Sequence, residues 1–432
     1  MAVLVLLQGF NPLPNYVVAD YLLNNGDTIL GDAIDTVILF YSEKTDANVT
    51  STKPHAENVK NALERRGQVY QFPLTNINKG SVIQKEIESH LKDMITAHAN
   101  VHLNYTGGTK AMGVHAYLTL EHIASSVHCG FDASYLDDRT FKLYWEGVDL
   151  PPTQVRRAVN IDIETLLRLH SYEITAPVAR QLNDTERTLA VMAEQLWIND
   201  RDEYRRVVSI LRRIFKVDGK PISRTTQLKR NVDSLQSQQP DFWTVLKDQP
   251  GLVDCFPALN HLSRNPEDEG PAFSNNLVKA DVELFKKFDG LWLEHYLKSQ
   301  VADIAETMNV TVTPKNFGQS LEAKRVKGRK KFELDLFMIL GYEFVGISVT
   351  THDREPLCKE KGFEVIHRTR QIGGDGRVAF LVTLLPEEGR SRVEEELKND
   401  CDISDRFHVF GEDDIQHLGS RVWEELRRIN GE

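Results

Sequence analysis

The chain has few cysteines, and it lacks a long apolar segment free of charges. Its 432 residues include four cysteines at scattered positions, with no Cys-x-x-Cys pair. So few, scattered cysteines favour neither a structural zinc site nor a disulfide framework, and a reducing, cytoplasmic setting fits. A membrane-spanning helix needs about 20 apolar residues, and no such run occurs, so we expect no membrane partner. The apolar N-terminus lacks the basic segment and cleavage site of a signal peptide, which favours a buried strand.

An excess of positive charge is also absent. The formal net charge is −11, which argues against general coating of nucleic acid. A local exception is the stretch AKRVKGRKKFELD, in which six cations fall between positions 324 and 331. This stretch is either a solvated basic loop or a phosphate-binding segment, and its place ahead of two acidic residues favours the second interpretation. We therefore expect Lys327, Arg329 and Lys330 to bind a nucleic acid.

Strands and helices alternate along the first third of the chain. The apolar runs AVLVLLQ, DTVILFY, ANVHLNYT and SSVHCGFDA predict strands, and helical stretches lie between them. This alternation predicts a parallel, doubly wound, Rossmann-like sheet. The loops that follow such strands open on one edge of the sheet, where ligands bind. Four polar residues after the first two strands are therefore expected to face one ligand: Gln8, Asn11, Ser42 and Lys44.

The stretch NYTGGTKAMG has the most distinctive local pattern. It has neither the GxxxxGK[ST] spacing of a Walker A loop nor a GxGxxG sequence. A strand ends at Asn104, and residues 106–110 then turn into a helix. Gly107 and Gly108 permit close approach of the backbone to a ligand, and free amides at a helix start favour an anion. Thr106 and Thr109 add hydroxyl groups, and Lys110 adds a cation. The alternative is that the two glycines only make a tight strand–helix turn.

The rest of the chain divides into two further parts, so we expect three domains. The first domain covers residues 1–155. Residues 156–285 are mainly helical and polar, and they form either a structural connector or a winged-helix-like module that binds DNA. Residues 286–432 alternate helices with strands and predict a compact mixed α/β domain.

A predicted hairpin in the third domain carries two acids. It reads FELDLFMILGYEFVGISVTT from position 332 to 351. Glu333 and Asp335 are two residues apart, so both project from one face of the strand. Carboxylates arranged in this way suit a hard divalent cation such as Mg²⁺ or Mn²⁺. The second strand ends at positions 348–351 with no charged residue.

The N-terminal features resemble a known family. The first-strand loop, the NYTGGTKAMG turn and the helix after it are similar to a CARF domain, the sensor of ancillary effectors in type III CRISPR defence. That resemblance implies a homodimer that binds cyclic oligoadenylate, most often the tetra-adenylate, across its two-fold axis. It implies that six residues contact the ring phosphates or ribose hydroxyls: Asn11, Thr106, Gly107, Gly108, Thr109 and Lys110.

The C-terminal features resemble the nuclease partner of such sensors. The stretches WLEHYL, ELDLFMIL and CKEKGFEVIHRTRQIGGDGRVAFLV look like a PD-(D/E)xK, restriction-endonuclease-like domain. The family pattern combines a helix glutamate, a strand aspartate and an acid-x-lysine that hold one or two divalent metals. By this resemblance Glu294 and Asp335 bind Mg²⁺ or Mn²⁺, and Glu333 assists.

The chain departs from the pattern at the acid-x-lysine, where it has Ser348-Val349-Thr350. The resemblance implies that Ser348 replaces the acid and that a lysine from another element replaces the missing cation, with Lys359 and Lys361 as the candidates beside Lys331. The expected function is a metal-dependent endonuclease that cleaves DNA or RNA with little sequence specificity when cyclic oligoadenylate binds. The alternatives are a degenerate nucleic-acid binder and a ring nuclease that opens the cyclic ligand itself.

Overall fold

The first third of the chain forms a sheet of seven strands in a computed structural model, which describes residues 1–95, 98–176, 182–265, 273–307, 310–403 and 405–431. The strands are β1 (Ala2–Gln8), β2 (Ile34–Ser42), β3 (Gln68–Leu74), β4 (Asn100–Asn104), β5 (Gly130–Asp137), β6 (Lys142–Glu146) and β7 (Thr153–Gln154). Their order in the sheet is β3-β2-β1-β4-β5-β6-β7, and the first five run parallel. The predicted doubly wound parallel sheet is confirmed.

Helices cover both faces of this sheet. They are α1 (Leu13–Leu30), α2 (Lys53–Leu63), α3 (Gly80–Ile95) and α4 (Lys110–Val127). Strand β1 is buried at all seven positions, as expected for an apolar run covered on both sides. The carboxyl ends of β1 and β4 are adjacent in the sheet, so the loops that follow them open beside each other.

The middle of the chain is mainly helical. Its elements are α5 (Ile163–Leu169), β8 (Tyr172–Ile174), α6 (Asp184–Asn199), α7 (Arg201–Phe215), β9 (Lys216–Val217), β10 (Lys220–Pro221), α8 (Thr225–Gln238), α9 (Phe242–Lys247), α10 (Pro257–Arg264) and α11 (Asn275–Lys286). Strands β9 and β10 form a short antiparallel hairpin between α7 and α8. Strand β8 leaves this part of the chain and pairs with the second sheet through β11 (Phe317–Arg325).

The last third of the chain forms most of the second sheet. After a π-helical turn at Lys287–Leu291, its elements are α12 (Trp292–Thr307), β11, β12 (Lys331–Leu340), β13 (Glu343–Val349), α13 (Glu355–Gly373), β14 (Val378–Val382), α14 (Glu387–Asp400), β15 (Phe407–Phe410) and α15 (Leu418–Asn430). The strand order is β15-β14-β13-β12-β11-β8, with the predicted antiparallel hairpin β12–β13 at its centre. The mixed α/β architecture is therefore confirmed for this part as well.

Two of the hydrophobic cores are shared between parts of the chain. One core joins the α1 face of the first sheet to one face of the second, and Leu4 and Leu39 belong to the same buried cluster as Phe337 and Phe344. A second core joins the middle helices to the other face of the second sheet. The third core lies under α3 and α4 alone. None of the described helices is long and apolar enough to cross a membrane.

A group of buried charges also links the two sheets. Glu343, at the start of β13, is 1% exposed. Its carboxylate accepts hydrogen bonds from Arg406 (3.2 Å) and Asn430 (3.1 Å) and lies 3.9 Å from the guanidinium of Arg156. Arg406 also donates to the carbonyl of Arg139, in the loop between β5 and β6 (2.7 Å). We call Arg156, Glu343, Arg406 and Asn430 the polar junction.

Asp138 lies beside the polar junction in the same β5–β6 loop. Burial raises the pKa of its carboxyl to about 7, and the negative charge of Asp375 acts in the same direction, while Arg406 opposes them. An acid from the first sheet and an acid from the second are therefore held close together where the two sheets meet.

Candidate functional site

The turn at residues 106–110, which we call the glycine turn, lies directly against the end of β1. A Cβ atom at Gly107 would overlap the carbonyl oxygen of Leu7. Gly108 has φ +77°, and a Cβ atom at Gly9 would lie only 3.0 Å from the amide nitrogen of Gly108. The overlap excludes a side chain at Gly107, the contact at Gly9 leaves little room for one, and the left-handed φ favours glycine at position 108. The predicted meeting of the loops after β1 and β4 is therefore seen in the structure.

Two buried amides shape the loop after β1. The side-chain nitrogen of Asn15 donates to the carbonyl of Leu7 (2.9 Å) and to the side-chain oxygen of Gln8 (3.0 Å). Gln8 in turn donates to the carbonyl of Gly9 (2.8 Å). Gln8 was expected to face the ligand, but its polar atoms are engaged inside the protein. Sequence reasoning gave Asn15 no role, and the structure shows it as a fully buried amide in a helix whose first ten residues are all buried.

The glycine turn starts α4 with an exposed hydroxyl and an exposed cation. Thr109 caps the helix, since its side-chain oxygen accepts a hydrogen bond from the amide of Met112 (3.2 Å). Lys110 is the first helical residue and is exposed. Thr106 accepts a hydrogen bond from the amide of Leu136 (2.6 Å), which fixes the turn to β5. The helix dipole and the Lys110 ammonium together favour an anion here.

The other predicted ligand residues lie in different settings. Asn11 accepts a hydrogen bond from the amide of Leu13 (3.1 Å), and its amide nitrogen lies so near Gly374 that a Cβ atom there would overlap it. Ser42 is buried and shares hydrogen bonds with Thr52, so it closes its own loop. Lys44 is exposed. The structure thus brings Asn11 to the edge that carries the glycine turn and also into contact with the second sheet.

Three tyrosines that sequence reasoning did not assign lie next to the glycine turn. The rings of Tyr135 and Tyr144 stack at 5.0 Å with an interplanar angle of 10°, and Tyr105 lies 5.7 Å from Tyr135. Burial raises the pKa of Tyr105 to about 12, and the charge of Glu146 adds to this effect. Neutral aromatic rings beside an anion site suit a nucleobase, because every base offers a flat face for stacking. The available sequence signal was a single tyrosine in each of β5 and β6, and these two tyrosines pair directly across the strands.

Three acids in the second sheet, Glu294, Glu333 and Asp335, form what we call the acid cluster. Glu294 comes from the first turn of α12, which packs against this sheet, and the other two come from β12. The side-chain nitrogen of Gln319 on β11 donates to the carboxylate of Glu294 (3.1 Å). The structure therefore brings together the helix acid and the strand acids named from the sequence, and adds Gln319.

Mutual repulsion and burial dominate the electrostatics of the acid cluster. Burial raises the pKa of Glu294 to about 8, and the charge of Asp335 contributes to the same shift. Burial and Asp335 also raise the pKa of Glu333. Carboxylates that repel one another in this way are stabilised by a cation placed between them.

A backbone irregularity lies opposite Asp335. Ser320 has φ +54°, a left-handed conformation in the middle of β11. Gln319 pairs with Leu336 and Leu321 pairs with Leu334, but these two pairs face different hydrophobic cores. The side of the sheet to which alternate side chains point therefore changes at Ser320. As a result, Gln319 lies on the side where it contacts Glu294. Strained positions of this kind cluster at functional sites.

Asp335 is held by its neighbour strand. One of its oxygens accepts hydrogen bonds from the Ser348 hydroxyl (2.8 Å) and from the Val349 amide (2.7 Å). Ser348 therefore acts as a donor to the acid beside it. The second oxygen of Asp335 accepts no hydrogen bond from the described residues.

The predicted cations lie in several places. Lys359 pairs with Glu396 on α14, so the structure does not bring it to the acid cluster. Lys361 is close enough to lower the pKa of Glu333, against the larger effect of burial. Lys327, Arg329 and Lys330 are exposed in the turn between β11 and β12.

The donor set of the acid cluster fits a divalent metal in part. Mg²⁺ prefers oxygen ligands, keeps several waters, and takes one or two protein carboxylates beside substrate phosphates. Glu294 and Asp335 supply that number of carboxylates. Among the described residues, no group of three or more His, Cys, Asp or Glu is arranged to hold a metal. The arrangement therefore suits Mg²⁺ or Mn²⁺ on two carboxylates and water, rather than a metal fully enclosed by protein ligands.

Comparison with solved structures shows the same overall fold in two other proteins. Can2 from Sulfobacillus thermosulfidooxidans, solved in complex with cyclic tetra-adenylate (cA4), is 14% identical with a TM-score of 0.58, covering 98% of this chain and 99% of that chain. Protein VC1899 from Vibrio cholerae is 14% identical with a TM-score of 0.61, covering 100% and 99%. No protein-family model and no curated protein matches the chain. The similarity confirms the predicted fold class over the whole length.

Proposed function

We propose that the chain is an effector of type III CRISPR defence, in which cyclic oligoadenylate binds at the glycine turn and activates metal-dependent nucleic-acid cleavage at the acid cluster. The observation that carries this proposal is the presence of both sites in one chain, within a fold that Can2 shares from end to end and in which Can2 was solved with cA4. cA4 is accordingly the proposed ligand.

The chemistry of the first site supports an anionic nucleotide. Exposed Lys110 and the start of α4 suit a phosphate, and the hydroxyls of Thr106 and Thr109 suit phosphate or ribose oxygens. The neighbouring rings of Tyr105, Tyr135 and Tyr144 suit stacking with an adenine ring.

The surface of α4 supports a homodimer. Val114 is 58% exposed and Leu118 is 49% exposed, and they lie one turn apart on the helix that the glycine turn begins. Exposed apolar pairs at this spacing mark a helix face that a partner covers. A second copy of the chain on this face would place two glycine turns beside each other, which suits a ligand with repeated nucleotides.

The acid cluster supports phosphodiester hydrolysis. Glu294 and Asp335 would hold Mg²⁺ or Mn²⁺, which supplies charge stabilisation and a more acidic water. Glu333, whose pKa burial and Asp335 both raise, is placed to accept a proton from the attacking water. Exposed Lys327, Arg329 and Lys330 would bind backbone phosphates without reading sequence.

A second candidate function is a nucleic-acid binder that responds to the ligand without cutting. It is favoured by Ser348, which stands where the nuclease pattern has an acid. The Ser348 hydroxyl donates a hydrogen bond to Asp335. Among the described residues no group of three or more His, Cys, Asp or Glu could hold a metal, and the hairpin strand β13 carries no cation.

The test is a cleavage assay on purified full-length protein. Supercoiled plasmid and labelled RNA are incubated with Mn²⁺, with and without cA4, and the fate of the cA4 ring is followed in the same tubes. We expect cA4-dependent cleavage that falls by at least about 100-fold in Asp335→Ala, because the substitution removes a metal ligand. The matched control is Asp303→Ala, an exposed acid on α12, which should cleave as the wild type does.

The outcomes separate the alternatives. Binding of cA4 and nucleic acid with no cleavage under any condition would establish the non-cutting binder. Loss of the ring in the absence of nucleic-acid cleavage would indicate a ring nuclease. Cleavage that survives Asp335→Ala would show that the acid cluster is not the active site.

A further inference from the structure

A lysine outside the hairpin lies at the acid cluster. Lys287, on the π-helical turn that precedes α12, lines a cavity of about 210 Å³ together with Glu294 and Glu333. Gln319, which binds Glu294, lines the same cavity. Lys287, the two carboxylates and the amide donor therefore come to one cavity from four elements: the π-helical turn, α12, β11 and β12.

The electrostatics agree with this geometry. Burial raises the pKa values of Glu294 and Glu333, and Lys287 opposes the shift at both acids. Lys361 opposes it at Glu333 as well. Because the interaction between charges weakens with distance, the effect of Lys287 on both acids agrees with its place in the cavity between them.

The other lysines near the site have partners elsewhere. Lys359 pairs with Glu396, and Lys331 lies 3.3 Å from Glu322. Lys286 borders the same cavity, but its ammonium is bound to Glu283 at 2.6 Å.

Lys287 itself forms no salt bridge with the described residues. The acid on its own turn does not compete for it, since Asp289 is buried and is paired with Arg212 (2.8 Å) and Lys216 (3.5 Å). A π-helical turn shifts the register of the side chains around the helix axis, and such turns are frequent at functional sites. Lys287 and Glu294, seven positions apart on consecutive helical segments, both line this cavity.

We propose that Lys287 is the catalytic cation of the acid cluster and replaces the lysine that the hairpin lacks. This inference rests on the proposed nuclease function. In hydrolysis of a phosphodiester, a water oxygen bonds to phosphorus, the bond from phosphorus to a sugar oxygen breaks, one proton leaves the water for a carboxylate, and the leaving oxygen takes up a proton from solvent. Lys287 remains protonated and stabilises the negative charge that builds on the phosphoryl oxygens.

The test compares lysine variants of the full-length protein in the cA4-activated cleavage assay. Lys287→Ala should reduce the cleavage rate by about 100- to 1,000-fold, as expected for loss of one preorganised charge at a transition state. Lys287→Arg should recover part of the rate. Lys286→Ala removes the same charge from the same rim and should remain within about 2-fold of the wild type, since its ammonium is bound to Glu283. Thermal melting and cA4 binding should be unchanged in all three variants.

The results distinguish this inference from the function on which it rests. If the wild type cleaves and Lys287→Ala cleaves at a rate within about 3-fold of it, the role of Lys287 is overturned and the proposed nuclease function is retained. A large loss in Lys361→Ala in place of Lys287→Ala would assign the cation to α13. A wild type that does not cleave at all would overturn both proposals together.

Discussion

At the scale of single residues, Asp335 depends on two donors from the neighbouring strand. The Ser348 hydroxyl and the Val349 amide bind the same oxygen, so either donor alone keeps the carboxylate oriented. Replacing Ser348 by alanine should therefore lower the free energy of unfolding by about 0.5–1.5 kcal/mol, the usual value of one hydrogen bond. Cleavage should fall by less than about 10-fold, because the metal ligand itself remains.

Denaturant unfolding and the cleavage rate, measured side by side with Asp335→Asn, check this prediction. A loss in Ser348→Ala as large as that in Asp335→Asn would mean that Ser348 binds the metal or the substrate directly.

Sequence reasoning found the acids and missed their supports. Glu333 and Asp335 were predictable because alternation in a strand fixes their common face. Gln319 and Lys287 were not, because the first follows from the left-handed Ser320 and the second lies on a π-helical turn ahead of the α-helix that carries Glu294. Neither irregularity leaves a recognisable pattern in one sequence. The positions of Lys359 and Ser42 were also beyond prediction, since Lys359 is held by Glu396 on another helix and Ser42 by hydrogen bonds within its own loop.

At the scale of elements, the contact between the glycine turn and β1 makes Gly107 indispensable. A methyl group there would overlap the Leu7 carbonyl, so Gly107→Ala must displace the turn from the sheet. We expect a loss of about 2–4 kcal/mol in the free energy of unfolding and at least about 10-fold weaker cA4 binding. Differential scanning fluorimetry and calorimetric titration with cA4 measure the two effects.

The matched control lies in the next helix. Gly113 is within α4, and a Cβ atom there would meet only Tyr105, at an ordinary 3.8 Å. Gly113→Ala should therefore stabilise the protein by about 0.5–1 kcal/mol, as alanine does within a helix. Equal losses of unfolding free energy in both variants would mean that replacing glycine by alanine is itself the cause, and that the Leu7 contact is not.

The elements that were missed share a physical reason. Strand β3 lies at the edge of the first sheet and alternates buried with exposed positions, so it has no continuous apolar run. Strand β11 contains Lys324 and Arg325 of the basic stretch, which looked like a loop, and it is a strand because β12 and β8 pair with it on both sides. Pairing between distant segments decided these elements, whereas local periodicity decided the helices that were predicted correctly.

At the scale of the whole molecule, the contact between Asn11 and Gly374 joins the predicted ligand loop to the end of α13. Gly374 has φ +66°, and a Cβ atom there would overlap the Asn11 amide. If the proposed coupling runs through this contact, Gly374→Ala should weaken the dependence of cleavage on cA4 by about 10-fold or more, since the added methyl group would displace the Asn11 side chain. Rates with and without cA4 give the coupling directly.

Gly431 offers a control with the same backbone strain. Its φ is also +66°, and no atom lies within 4 Å of the Cβ position. Gly431→Ala should lower stability by about 1 kcal/mol and leave activation by cA4 unchanged. If both variants lose activation equally, backbone strain is the cause and the Asn11 contact is not.

The meeting of the two sheets also predicts a pH dependence. Because burial and Asp375 raise the pKa of Asp138 to about 7, the folded state favours its neutral form, and an ordinary unfolded Asp ionises near 3.8. The contribution of Asp138 to stability is therefore lost as the pH rises from about 4 to about 7. Asp138→Asn should be more stable than the wild type by about 1–3 kcal/mol at pH 8 and no more stable at pH 4.

Urea unfolding of both proteins at the two pH values measures this difference. Arg406 faces Asp138 from the second sheet and opposes the shift, so Asp375→Asn, which removes the like charge, should reproduce part of the effect. An unchanged difference between pH 4 and pH 8 would place the Asp138 carboxyl in contact with water.

The hydrophobic core that runs from Leu4 and Leu39 into Phe337 and Phe344 has a consequence for how such proteins diversify. Domains that contact each other through polar interfaces can be exchanged between proteins, because each keeps its own fold. Here the two halves interdigitate as one interior, so a sensor taken from another lineage would bring mismatched side chains to a packed seam. New combinations of ligand and substrate in this architecture are therefore expected to arise by gradual substitution around the loops, with both halves inherited together.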